Sequence, residues 1–230
     1  METVADSIRQ KLYQEKDSID YVTRRQLFFQ VIQEIDWSVG EILDVLKREG
    51  IDQNTLVIFA TDNGPSVGSA FPLRGKKGST YEGGMRVPAI ARWPGKIPGG
   101  KVCNELVTSM DLFPTFAYLA ETELPGNTII DGKNIWTLLS GVPGAVSPHD
   151  RFFYHAGNKL KAVRAGNWKL HRTDDKGYEL YDLEKDISEQ NNIAMQFPGI
   201  VDQLAGMMTE FDREMTDSTK TRPHGTVSPE

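Results

Sequence analysis

The feature that most constrains this 230-residue chain is the run Thr55-Leu-Val-Ile-Phe-Ala-Thr61, followed at once by Asp62-Asn63-Gly64-Pro65. The run is continuously apolar and β-branched rather than alternating, which predicts a strand covered on both faces. Ahead of it Phe28, Ile32, Ile35, Val39, Ile42 and Leu46 recur at spacings of four and three. That period predicts an amphipathic helix from about Ser18 to Arg48 whose apolar stripe enters a core, with Gly50 placed for a left-handed cap. Helix, short loop and buried strand together define an α/β layer. The strand must stop at Asp-Asn-Gly-Pro, since each of those residues favours a turn.

The rest of the chain divides in two. After a Gly/Ser-rich stretch reaching Gly84, Val87–Trp93 is expected as a second strand, which Pro88 confines to an edge or a strand start. Ser109–Ala120 is expected as a helix capped by Ser109 or Asp111, and a shorter helix follows near Gly132–Leu139. Ser140–Pro148 has the composition of a linker. Beyond it Arg151–His155, Leu160–Ala165, Trp168–His171 and Glu179–Leu183 are short strand candidates, with Gly157-Asn158 and Gly166-Asn167 closing two hairpins. A last helix is expected from about Gly199 to Met215. The fold class is therefore α/β: an incomplete central sheet with flanking helices over residues 1–140, then a small antiparallel α+β portion over 150–215. Residues 1–16 are expected to fray, and 216–230 to form a disordered tail.

Composition removes several function classes. Ten Phe, seven Tyr and four Trp are enough aromatic mass for a core. A formal net charge of −6 argues against a nucleic-acid partner. No stretch approaches the ~18 unbroken apolar residues of a membrane span, and Met1–Gln10 lacks the basic and apolar regions of a secretory signal. Cys103 is the single cysteine, so the chain has no internal disulfide and no cysteine zinc site; it is expected to be buried. His149, His155, His171 and His224 show no ligand spacing, and His155 and His171 read as packing or surface groups. Any metal would have to be held by oxygen.

Two segments could carry chemistry. Asp62-Asn63 follows the carboxyl end of the expected buried strand, where ligands bind in open α/β sheets. A carboxylate and an amide carbonyl are hard donors suited to Ca²⁺ or Mg²⁺; taken alone, an Asx turn explains them better. Arg74-Gly-Lys-Lys-Gly-Ser-Thr80 is a basic, glycine-rich loop suited to a tetrahedral oxyanion. It is not a P-loop, because Ala70 stands where the first Gly belongs and Lys77 where Ser or Thr belongs; alone, it reads better as a solvated loop. In Tyr81-Glu-Gly-Gly-Met-Arg-Val-Pro88 the paired glycines allow close backbone approach, and Glu82 and Arg86 read as loop scaffolding.

The order of these segments goes further. Asn54-Thr-Leu-Val-Ile-Phe-Ala-Thr-Asp-Asn-Gly64 is followed by Leu73-Arg-Gly-Lys-Lys-Gly-Ser-Thr-Tyr-Glu-Gly-Gly-Met-Arg-Val-Pro88 and Trp93-Pro-Gly95. Ser109-Met-Asp-Leu-Phe-Pro-Thr115, Ala162–Leu170 and Leu180-Tyr-Asp-Leu183 come next. Over roughly residues 18–215 the chain resembles the later half of an arylsulfatase-like member of the sulfatase family, in the alkaline phosphatase superfamily. The resemblance implies a sulfatase-like central sheet and a sulfuric ester hydrolase. It implies a Ca²⁺ ion, Mg²⁺ being less favoured, held by Asp62 and Asn63, with Lys77 on the sulfate oxygens. It implies as substrate a small sulfate ester or a sulfated glycan. The family's nucleophile is a formylglycine made from Cys/Ser-x-Pro-x-Arg, and that motif is absent: Cys103 is followed by Asn104, Glu105 and Val107. The expectation is thus a sulfatase portion whose partner is a missing N-terminal half. Two other readings stand beside it. One is a catalytically dead module that binds an anionic ligand or a protein. The other is a phosphoester hydrolase of the same superfamily, which Asn63, in place of a histidine, disfavours. Relatives are commonly periplasmic, secreted or lysosomal, but nothing in these residues fixes a compartment.

Overall fold

The computed structural model describes residues 20–175 and 177–216; the lead-in at 1–16 and the tail from 217 onward lie outside them. Helix α1 (Tyr21–Arg48) starts at Asp20, whose carboxylate accepts from the Val22 and Thr23 N–H groups at 2.9 and 3.1 Å. Lys47 and Arg48 sit at its carboxyl end, where cations suit the helix dipole. Gly50 then takes φ +71°, the left-handed turn that only glycine adopts without strain. The stripe expected to enter a core is largely open: Ile32, Ile35 and Ile42 are all exposed.

Strand β1 (Val57–Ala60) pairs antiparallel with β2 (Ala89–Arg92), in a register that sets Val57 opposite Arg92 and Ala60 opposite Ala89. The expectation of a strand covered on both faces fails here. Among the described residues β2 is β1's sole neighbour, and Val57, Ile58 and Phe59 are half-buried. Pro88 stands just before β2, as its missing donor requires, and its carbonyl accepts from Thr61. Arg92 grips Asp52 with two hydrogen bonds of 2.6 and 3.0 Å, tying β2 to the loop after α1.

Helix α2 (Glu82–Met85) is a single turn between the strands. Helix α3 (Leu112–Leu119) follows a 3₁₀ turn at Ser109–Asp111, and α4 covers Trp136–Leu139. Asp111 does not cap in the simple sense expected. It is fully buried and accepts from the Thr108 and Lys133 backbone N–H groups and from His149 Nε2 at 2.7 Å. The Gly/Pro-rich stretch at 140–148 is likewise tied down, since Ser147 donates from its N–H to Glu105 and from its hydroxyl to Leu106 O.

The second sheet is a meander in the order β3 (Arg151–Ala156), β4 (Lys159–Ala165), β5 (Trp168–Arg172), β6 (Tyr178–Asp182), all antiparallel. Gly157 and Gly166 have φ +57° and +55° at its two-residue hairpins, as such tight turns require. One face packs against helix α5 (Pro198–Thr216): Leu160, Val163, Leu170 and Leu180 close on Leu204 and Met208, all nearly or wholly buried. Phe153 stacks on Phe211 with ring centroids 4.0 Å apart.

Candidate functional site

Asp62 and Asn63 occupy the turn after β1, with Asp62 exposed and Asn63 half-buried. Gly64 is buried because the chain passes directly over α2. Its N–H donates to Gly84 O at 2.9 Å, and a Cβ here would lie 1.9 Å from Gly83 O. Gly83 and Gly84 meet the backbone of Arg74, Lys76 and Ser79 as tightly. This is the close approach that the paired glycines predict. One residue past Gly64, Pro65 O accepts from the Lys77 N–H at 3.1 Å. Two backbone hydrogen bonds thus staple the Asp62-Asn63 turn to the loop bearing Lys77, itself exposed and flanked by Gly75 and Gly78 at φ +90° and +89°.

What holds that loop is a set of buried charges. Lys169 on β5 is fully buried; its Nζ donates to Glu82 Oε1 at 2.8 Å and lies 3.1 Å from Glu189 Oε1. The other oxygen of Glu82 accepts from Arg86, and the other oxygen of Glu189 accepts from the Glu82 N–H at 2.6 Å. His171, two residues along β5, donates from Nε2 to Glu189 Oε1 at 2.8 Å, a tautomer fixed by that acceptor. Around this cluster Tyr81 stacks on His171 at 4.3 Å, and Arg74 lies over the Tyr81 ring at 3.9 Å. Arg74 also donates to Tyr181 Oη and Glu189 O, while both tyrosine hydroxyls donate to Glu179. Residues 74–86 are therefore clasped to the second sheet at both ends.

Burial alone would raise the Glu82 carboxyl, but Lys169 and Arg86 outweigh it and hold it below its ordinary value. Burial dominates at His171 and lowers it, so it stays neutral against the opposing pull of Glu189. Tyr81 is pushed up to about 12, first by burial and then by Glu179.

Sequence reasoning assigned Glu82 and Arg86 correctly as scaffold. It left His171 without a role, whereas the structure buries it in the clasp; Lys169 and Glu189 were passed over. A signal existed: in Trp168-Lys-Leu-His-Arg172 the period of two puts Lys169 and His171 on one face and Leu170 on the other. Cys103, expected to be buried, is exposed, because its segment packs into neither sheet.

As to a metal, Asp62 and Asn63 match Ca²⁺ in donor type but not in number. Ca²⁺ takes about 6–8 oxygens, and no group of three or more His, Cys, Asp or Glu among the described residues could hold an ion. These two residues fit as part of a site. No described helix is long and apolar enough to cross a membrane.

Known proteins resemble this chain in sequence and in fold. The family model described as Sulfatase matches residues 6–122, and the one described as N-sulphoglucosamine sulphohydrolase, C-terminal, matches residues 76–216. Between them they cover both sheets, and the chain belongs to the sulfatase family. An arylsulfatase from Hemicentrotus pulcherrimus is 40% identical over 161 residues, 67% of this chain and 29% of that protein. An N-acetylgalactosamine-6-sulfatase from Mus musculus is 44% identical over 149 residues, 61% of this chain and 28% of its own length. Among solved structures, Ps i-CgsB superposes with a TM-score of 0.75 at 29% identity, covering 86% of this chain and 45% of that one. The chain thus spans under a third of these curated relatives and just under half of that structure. The chemistry of that family is sulfuric ester hydrolysis.

Proposed function

We propose that this chain supplies the cation-binding pair and the sulfate-gripping lysine of a sulfuric ester hydrolase, with the nucleophile coming from residues outside this chain. The observation that carries this reading is the double staple, Gly64 N to Gly84 O and Lys77 N to Pro65 O, which joins the Asp62-Asn63 turn to the Lys77 loop. Asp62 and Asn63 would hold the ion through one carboxylate and one amide oxygen. A divalent cation there supplies positive charge toward the sulfate oxygens as the S–O bond breaks. Lys77 would hold a sulfate oxygen with its ammonium, and the clasp holds in place the loop backbone that carries it as negative charge grows on the leaving oxygen. Asn63 favours a hard, oxygen-bound ion and with it a sulfatase over a zinc-dependent phosphoesterase. The chain by itself, lacking Cys/Ser-x-Pro-x-Arg, is expected to be inactive.

The test is reconstitution with a polypeptide bearing that motif in its formylglycine form, followed by release of 4-nitrocatechol from its sulfate ester. Sulfate ester should be hydrolysed in preference to 4-nitrophenyl phosphate. Lys77→Ala should lower kcat by about 10²–10³, the usual cost of one oxyanion donor. Activity indifferent to both Lys77→Ala and Asp62→Ala would remove the proposal.

A further inference from the structure

The turn after β1 contains the one Asn-Gly pair of the chain, Asn63-Gly64. Asparagine before glycine is chemically labile: its side-chain carbonyl carbon lies within reach of the next backbone nitrogen, and glycine has no Cβ to obstruct ring closure. The fold admits no other residue at position 64. A Cβ there would lie 1.9 Å from Gly83 O and 2.9 Å from Gly84 Cα, so only glycine allows the close pass over α2. Packing thus forces the most reactive neighbour onto Asn63. Asn63 is half-buried, Asp62 beside it is exposed, and no hydrogen bond among the described residues holds the Asn63 side-chain amide. Water can reach the turn, and the amide can move.

What opposes the reaction is the staple. Ring closure needs the Gly64 nitrogen stripped of its proton and turned toward Asn63 Cγ. That N–H is instead buried with Gly64 and donates to Gly84 O at 2.9 Å. Pro65 O, one residue on, accepts from the Lys77 N–H, so turning the 64 peptide disturbs both bonds. The acceptor side is fixed too, because Gly83 N donates to Arg74 O at 2.7 Å and Glu82 is tied to Lys169 and Glu189.

We infer that Asn63 is a deamidation site held in its amide form by the Gly64–Gly84 hydrogen bond. Once that bond opens, Gly64 N loses its proton to solvent base and attacks Asn63 Cγ. The new N–C bond closes a succinimide, the Cγ–Nδ2 bond breaks, and Nδ2 leaves as ammonia with a proton from water. A second water opens the ring at Cγ to give aspartate, or at the Asn63 main-chain carbonyl to give isoaspartate. The net change is hydrolysis of the amide to a carboxylate and ammonium, with no oxidant or reductant. Either product adds a negative charge beside Asp62, and isoaspartate reroutes the backbone through the side chain. None of this depends on Asn63 being a cation ligand.

The test compares the full wild-type chain with a synthetic peptide spanning residues 57–69, both incubated in neutral buffer. Peptide mapping with electron-transfer fragmentation counts aspartate and isoaspartate at position 63, and hydrogen exchange follows the Gly64 amide in the same samples. Conversion should run on the order of 10–100-fold slower in the folded chain than in the peptide, the factor that local opening imposes. In urea below the unfolding transition it should accelerate in step with Gly64 exchange. Conversion at the peptide's rate in the folded chain overturns the inference, whether the Gly64 amide is protected or not. So does a slow rate that stays flat while urea speeds Gly64 exchange, and so does a peptide that fails to convert.

Discussion

The two sheets of this chain are made of short antiparallel strands, yet they finish in opposite states. The four-stranded sheet closes one face with α5 and the other with ionic partners from residues 74–86, so that Val163, Leu170, Leu180, Tyr181 and Lys169 are almost wholly buried. The β1–β2 pair closes nothing comparable. Ile90 on β2 is 64% exposed, and Phe29, Ile42, Phe113 and Phe116 also present apolar surface to solvent. The proposed functional residues lie on the open portion, at the end of β1 and in the following loop, but that loop is held by the closed portion. The first sheet positions Asp62 and Asn63, and the second holds the backbone on either side of Lys77 through Arg74, Tyr81 and Glu82. Rigidity at the site is borrowed from across the chain.

The comparison breaks most violently at Lys169. Lys169→Ala removes the buried cation shared by Glu82 and Glu189, leaving Glu82 with Arg86 alone, and should cost about 3–5 kcal/mol, read as a lowered denaturation midpoint. Adding Glu82→Gln to Lys169→Met should recover part of the loss. Failure of either substitution to alter stability would mean the clasp is ornamental.

Next come paired truncations of one apolar residue in each sheet. Leu170→Ala removes a fully buried side chain and should cost about 2–5 kcal/mol. Ile90→Ala, on the open sheet, should stay within about 0.5 kcal/mol. Equal losses in urea melts would erase the distinction between the two regions. The same exposed surface predicts self-association of the isolated chain, and a concentration-independent monomer in sedimentation velocity would count against it.

The clasp should also be acid-labile, and more so than the first sheet. His171 lies below its ordinary 6.5, so the unfolded chain takes up that proton first, and stability falls as pH drops below 6.5 toward the lowered folded value. Glu82 lies below its ordinary 4.5, so its contribution is complete above 4.5 and is lost as pH falls through its own lowered value. Both effects have the same sign. Melting temperature followed from pH 7 to 4 should decline, and His171→Gln should flatten the upper part of that decline.

Smallest of all should be the response to calcium. With two matching donors in place of the ~6–8 that the ion prefers, the chain alone should bind Ca²⁺ no tighter than about millimolar. EDTA should leave its melting temperature unchanged. Tight binding by calorimetry would require further ligands close to Asp62 and Asn63.

Much of this was legible in the residues because the signals are local. The α1 period, the glycines of the two hairpins and the Asp-Asn-Gly-Pro stop act within a few positions, and each falls where expected. The paired Gly83 and Gly84 announce a close approach, but the sequence does not say that Gly64 is one of the partners. The clasp was not legible, since Glu82, Lys169 and Glu189 are far apart in the chain and each would pass for a solvated charge. Ile58 and Phe59 read as doubly covered because their composition suits the interior of a sheet, and composition cannot report which neighbours are present.

Native-state hydrogen exchange tests the central claim most directly, because it reads both sheets and the loop at once. The account predicts strong protection of the β4, β5 and β6 amides, fast exchange across Val57–Ala60 and Ala89–Arg92, and protection of the Gly83 and Met85 amides that rises and falls with the second sheet. Loop amides that exchange with β1–β2 instead, or two sheets equally protected, would contradict it.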